Sequence, residues 1–303
     1  MNLDFIPSQK TNDLFHYTNF YGLGRSGKFS GPWDQILHNQ TLEKAKSLNV
    51  SEEVWPYYEL EDDFYFYNSY GYRTDEFETY EENNFDMILG CSHVEGIGLR
   101  KSEMWVSQYE KILNAKTVNL AKGGNSNNNM KNSLFSWFLS NRPKPRRIVV
   151  CWTEPTRYTY VRSSGSLIHY NIHWKIDDCF DEHDYLLNHV YAEKIKANLI
   201  WSNEFITDLT AVNVLANSLK IPIYNFLSSY VGWNVSSVDV IENLTSIRCH
   251  WLDVNLKEGW MPLPKGGTFN PAADGSHIGP QHQHLYSEPI TNIIKNEENK
   301  DSI

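Results

Sequence analysis

Two short stretches hold the residue types needed for nucleophilic acyl chemistry. Gly90-Cys91-Ser92-His93 places a serine directly after the apolar run Met87-Ile88-Leu89, and Asp274-Gly275-Ser276-His277 places a carboxylate three residues before an imidazole. A hydroxyl nucleophile, an imidazole to take its proton and a carboxylate to fix the imidazole tautomer are the parts of a hydrolytic triad. At a spacing of three residues, one turn of chain can bring the Asp274 carboxylate onto Nδ1 of His277. Ser92 then serves as nucleophile, His277 as base and Asp274 as the residue that orients it. Either motif alone is weak, because a serine after a strand is most often a turn residue and a histidine ahead of a helix is most often a surface group.

The elements that must position these residues are legible as hydrophobic periodicity. Strands are expected near 85–91, 117–120, 147–152 and 221–227, with a fifth near 247–252. Helices are expected near 102–113, 126–140, 182–219 and 280–295, with Ser102 as a cap for the first and Gly279-Pro280 opening the last. Strands separated by helices imply a parallel sheet covered on both faces. In such sheets the carboxyl ends of the strands hold the site. Three of the strands end in polar, small-residue loops, namely the one at Ser92, Lys122-Gly123-Gly124-Asn125-Ser126, and Trp152-Thr153-Glu154-Pro155.

These motifs resemble those of the SGNH (GDSL-like) hydrolase family over about residues 85 to 290, with a flavour similar to SGNH-like proteins of marine bacteria and their phages. Gly90-Cys91-Ser92 matches the family's Gly-Asp-Ser block, and Asp274 and His277 match its Asp-x-x-His block. Gly124 matches the second-block glycine. The resemblance implies that the backbone N–H groups of Ser92 and Gly124 serve an oxyanion hole. Asn68-Ser69-Tyr70-Gly71-Tyr72-Arg73 looks like the Asn-x-x-Gly-Tyr-Arg lead-in of many such proteins. The fold implied is α/β: a three-layer α/β/α sandwich on a parallel, flavodoxin-like five-stranded sheet, with an N-terminal extension.

The sequence departs from the family at two positions. Cys91 stands where the family has Asp, which is not a triad member. In the third block, Gly-x-Asn-Asp is replaced by Cys151-Trp152-Thr153-Glu154, so the oxyanion-hole Asn is missing. Thr153 is the candidate substitute donor, with Arg157 or one of Asn125 to Asn129 as rivals. Losing one such donor costs about 10²–10³ in rate. His93, Asn125 and Arg157 are candidate substrate contacts.

Other readings of the same residues are weaker. Cys91 as a thiol nucleophile is disfavoured, because its side chain should alternate away from that of Ser92. His282 and His284 have the wrong spacing to share a metal on one helix face with His277, and His282 resembles a second histidine common in this block, so no metal is expected. Gly123-Gly124 lacks the spacing of a phosphate loop. No cofactor is expected.

Composition sets the class. The chain has 303 residues, 41% of them hydrophobic, and a formal net charge of −10. That surface disfavours nucleic acid and anionic membranes as partners; the partner that the family resemblance implies is a small-molecule or carbohydrate ester. Met1-Asn2-Leu3-Asp4-Phe5 is not a signal peptide and no run of 18 apolar residues occurs, so a cytoplasmic location is expected, with virion association if a phage encodes the chain. Cys91, Cys151, Cys179 and Cys249 are expected as reduced thiols.

The organisation expected is an aromatic- and Asn-rich extension over 1–80 packed on the core, a hydrolase-like domain over 81–295, and a frayed tail over 296–303. Residues 158–181 read as a loop or small hairpin. The function expected is a serine esterase acting on an O-acyl group, with an O-acetyl on a carbohydrate as candidate substrate. An O-acyltransferase using the same triad, or a non-catalytic binding or virion-associated module, is the alternative.

Overall fold

The computed structural model describes residues 27–29, 65–161, 167–171, 201–228, 233, 235–254 and 277–301. Five strands form the central sheet: β3 (Phe85–Leu89), β4 (Lys116–Asn119), β5 (Arg147–Trp152), β8 (Ile223–Ser228) and β9 (Cys249–Leu252). They lie in the order β4-β3-β5-β8-β9 and every pairing is parallel. This is the expected flavodoxin-like order, and all five strands fall where the sequence places them.

Each apolar strand alternates its side chains between two cores. Met87, Leu89, Ile148, Val150 and Trp152 pack on one face with α3 (Asn127–Leu139), α4 (Trp201–Ser218) and α5 (Val235–Thr245). Ile88, Val149, Tyr224 and Phe226 pack on the other with α2 (Trp105–Leu113) and α6 (His284–Asp301). Both faces are therefore covered, which is why β3 and β5 are buried at every position. The result is a three-layer α/β/α sandwich.

Helices α2 and α3 match expectation to within about three residues at each end. Of the long helix expected over 182–219, residues 201–218 are helical and 182–200 lie outside the described residues. Helix α5 was not foreseen. Its exposed Val235, Val240 and Leu244 blur the apolar stripe that would have announced it. The tail expected to fray from Asn296 is instead the last part of α6. There Glu297 pairs with Arg248 at 2.8 Å, and Glu298 with Arg147 at 2.7 Å. Partners distant in sequence hold this end, and local composition carries no sign of them.

Two antiparallel pairs lie outside the sheet. β1 (Gly27–Phe29) pairs with β2 (Tyr65–Tyr67), and β6 (Arg157–Val161) pairs with β7 (Leu167–Asn171) as a hairpin. The start of β3 is fastened by Asp86, which is fully buried. It accepts hydrogen bonds from Arg146 and Arg147 and from the Tyr109 hydroxyl at 2.8 Å. No helix among the described residues is long and apolar enough to cross a membrane.

Candidate active site

Ser92 opens a four-residue helix, α1 (Ser92–Glu95), directly after β3. The turn into it is tight. A Cβ on Gly90 would meet Val94 Cγ2 at 2.1 Å, so only glycine lets this helix fold back onto its strand. The Gly90 carbonyl accepts from Asn125 Nδ2 at 3.1 Å and from the Lys122 N–H at 3.4 Å. The loop after β4 is thereby tied to the turn that carries Ser92. Loops from β3 and β5 leave towards opposite faces of the sheet, and the crevice so formed is where open α/β sheets hold ligands.

His277 arrives from the far end of the chain. Its ring centroid lies 4.8 Å from that of His93, at an interplanar angle of 53°. The segment behind it is held by Gln283, which donates to the Ile278 carbonyl at 2.7 Å and accepts from the Trp105 N–H at 3.1 Å. Buried Ile278 anchors the same segment in the α2–α6 core. His277 thus lies against His93, the residue after Ser92, just past the carboxyl end of β3. Asp274 lies outside the described residues.

Burial first, then the neighbouring His277 and Arg157, hold the His93 imidazole well below the ordinary histidine range, so it is neutral. Arg157 lies close enough to be felt there, and its Nε also donates to Glu154 Oε1 at 2.7 Å. Of the expected substrate contacts, His93 thus lies beside His277, and Arg157 bears on His93.

Asn125 is fully buried. Besides holding Gly90, it accepts from Asn129 Nδ2 at 2.7 Å. Gly124 adopts a left-handed φ of 71°, which glycine accepts at low cost. Thr153 is fully buried, and its Oγ1 has no hydrogen-bond partner among the described residues. Its backbone is locked: the N–H donates to Asn127 Oδ1 at 3.0 Å, while the carbonyl accepts from Asn127 Nδ2 and Trp233 Nε1, each at 3.1 Å.

Cys91, Cys151 and Cys249 are free and buried, in line with reduced thiols, and Cys179 lies outside the described residues. Burial, with Cys91 nearby, pushes the Cys151 thiol up, and burial pushes that of Cys249 up to about 12. No group of three potential metal ligands occurs among the described residues. Burial and then His284 hold His282 below the usual histidine range.

Sequence reasoning missed three polar residues that shape the site: Glu95, Tyr67 and Gln283. Glu95 is 2% exposed, lying between Val94 and Gly96. An acid enclosed by Val94, Gly96 and Ile97, three positions after the candidate nucleophile, is the signal that could have found it. The lead-in motif is explained by structure. Asn68 Oδ1 accepts from the N–H groups of Tyr70 and Tyr72, and Gly71 takes φ of 73°. Arg73 donates to the carbonyls of Gly96 at 2.5 Å and Leu99 at 2.6 Å, just past α1.

No protein-family model matches the chain, and no curated protein matches it in sequence. In structure it is similar to a psychrotrophic esterase, EstA, from Pseudoalteromonas sp., at 14% identity and a TM-score of 0.42 over 72% of this chain and 100% of that one. It is similar to TesA at 12% identity and a TM-score of 0.42, over 70% and 98% of the two chains. An acetyl xylan esterase, Est2A, from the rumen bacterium Butyrivibrio proteoclasticus is similar at 11% identity and a TM-score of 0.40, over 73% and 66%.

Proposed function

We propose that the protein is a serine ester hydrolase acting on an O-acyl group, with Ser92 as nucleophile, His277 as base and Asp274 orienting the base. The observation that carries this reading is the approach of His277 to His93, the residue after Ser92, at the carboxyl end of β3. His277 takes the Ser92 Oγ proton as Oγ bonds to the ester carbonyl carbon. The resulting oxyanion is held by the N–H groups of Ser92 and Gly124, with Thr153 Oγ1 as a third donor. Collapse breaks the bond to the alcohol, which leaves with the proton from His277. Water, deprotonated by the same imidazole, then attacks the acyl-enzyme, releasing the acid and free Ser92. An O-acetyl group on a carbohydrate is the substrate class proposed, with His93 and Arg157 contacting it.

A fluorophosphonate probe tests this directly. An activated Ser92 is phosphonylated, and Ser92→Ala is not. If neither protein reacts, the serine is not activated.

The second reading, a non-catalytic binding module, is favoured by one observation. The third block lacks its Asn, and the Thr153 in its place is fully buried. A wild-type protein that binds an acetylated sugar but leaves the ester intact supports that reading.

A further inference from the structure

We infer that Glu95 is a positioning residue that sets the oxyanion loop against the nucleophile helix. The inference rests on Ser92 being the nucleophile and Gly124 an oxyanion donor, as proposed above. Glu95 closes α1, the helix that Ser92 opens. Its side chain is buried and both carboxylate oxygens are used. Oε2 accepts the backbone N–H of Gly123, the residue before Gly124, in a short hydrogen bond. Oε1 accepts the hydroxyl hydrogen of Tyr67 at 2.9 Å. One side chain thus joins the nucleophile helix, the glycine loop and the strand that precedes the lead-in motif.

The surroundings fit a carboxylate whose job is to hold backbone in place. A Cβ on Gly123 would approach Glu95 Oε2 at 3.2 Å, so the loop packs directly on the carboxylate. Lys122, the residue before, is 2% exposed, and its ammonium lies 4.5 Å from the Tyr72 ring centroid and 5.2 Å from that of Tyr67. Arg73 also donates to the Glu95 backbone carbonyl, at 3.3 Å. Fixing the Gly123 N–H fixes where the next peptide, which carries the Gly124 N–H, can point. Donors placed before the reaction begins are what make an oxyanion hole effective.

The test compares Glu95→Gln with Tyr67→Phe. Glutamine keeps one acceptor oxygen and replaces the other with a donor, so either the Gly123 N–H loses its acceptor or the Tyr67 hydroxyl must turn round to accept from the amide. On an aryl acetate, Glu95→Gln is expected to lower kcat about 10- to 100-fold, the effect of a roughly 1 Å misplacement, with KM within about twofold. Fluorophosphonate labelling of Ser92 should slow in parallel. Tyr67→Phe leaves the Gly123 contact and should lower kcat only about 3- to 10-fold, the size of one hydrogen bond. It carries the kinetic test alone if Glu95→Gln does not fold. In ¹H–¹⁵N spectra the Gly123 amide proton should move upfield in Glu95→Gln and hold its position in Tyr67→Phe. Wild-type kcat in both variants overturns the inference, as does an unmoved Gly123 amide. A wild-type protein that neither hydrolyses the ester nor labels overturns the nucleophile reading and, with it, any catalytic effect of Glu95; the Gly123 shift then tells whether the hydrogen bond alone exists.

Discussion

His93 and His277 come from positions 184 residues apart, yet their rings lie 4.8 Å apart. Their contact places an imidazole that the sequence marks as a base beside the residue following the candidate nucleophile. Ser92→Ala should therefore abolish hydrolysis of an aryl acetate, by at least about 10³-fold, since the remaining groups cannot supply a nucleophile. Its melting temperature should stay within a few degrees of wild type, because only a hydroxyl is lost. Steady-state kinetics and thermal melting check both halves. Wild-type turnover in the variant would remove Ser92 from the mechanism and make Cys91→Ala the next measurement.

Thr153 offers a cleaner separation of stability from activity. Its buried Oγ1 has no partner among the described residues, so replacing it with the near-isosteric valine removes a desolvated hydroxyl that costs about 1–3 kcal/mol when unpaired. Thr153→Val should melt at or above the wild-type temperature. If the hydroxyl donates to the oxyanion, kcat should fall by about 10²-fold or more. Unchanged kcat would strike Thr153 from the oxyanion hole.

Asn127→Ala tests the scaffold beneath Thr153. It removes an acceptor from a buried N–H and a donor from a carbonyl. A loss of about 2 kcal/mol in denaturant unfolding is expected, from the uncompensated N–H. Asn127→Asp keeps the acceptor but sets a carboxylate oxygen against the Thr153 carbonyl, so at neutral pH it should be destabilised at least as much as alanine.

The pH dependence follows from His93. Its folded-state pKa is lowered, chiefly by burial, from the ordinary 6.5. Above that value both folded and unfolded chains are neutral at this residue, and its contribution to stability is fully present. As pH falls below about 6.5 the unfolded chain takes up a proton that the folded one refuses, so stability declines until the folded-state pKa is reached. His93→Gln should flatten this acid-side decline. Unfolding free energies at several pH values between about 4 and 8 would reveal it, and an unchanged slope assigns the decline to other groups.

The strands and most helices were legible because burial on both faces imposes continuous apolar runs, as in Phe85–Leu89 and Arg147–Trp152, and because turn residues punctuate them. The tight turn into Ser92 was legible from its place directly after the apolar run Met87-Ile88-Leu89, and the structure adds that only glycine fits at Gly90 beneath Val94. What the sequence concealed are contacts between polar groups far apart in the chain. Gln283 reaches Trp105, Glu95 reaches Tyr67 and Gly123, and Glu298 reaches Arg147. Such pairs have no period and no fixed spacing. Helix α5 was missed for a different reason, since its exposed apolar residues break the amphipathic pattern.

The fastening of β3 at both ends bears on how the protein opens. Asp86 binds its start to two arginines and a tyrosine, and the Gly90 carbonyl binds its end to the glycine loop. Between these two locks, Met87, Ile88 and Leu89 are fully covered. Partial fluctuations that expose a strand begin where few buried contacts hold it. The backbone amides of Met87 to Leu89 should thus be among the slowest in the molecule to exchange with deuterium, released only when the whole sheet comes apart. The serine would then ride on one of the most persistent parts of the fold, whereas His277 depends on separate contacts, those that Gln283 and Ile278 make with the α2–α6 core.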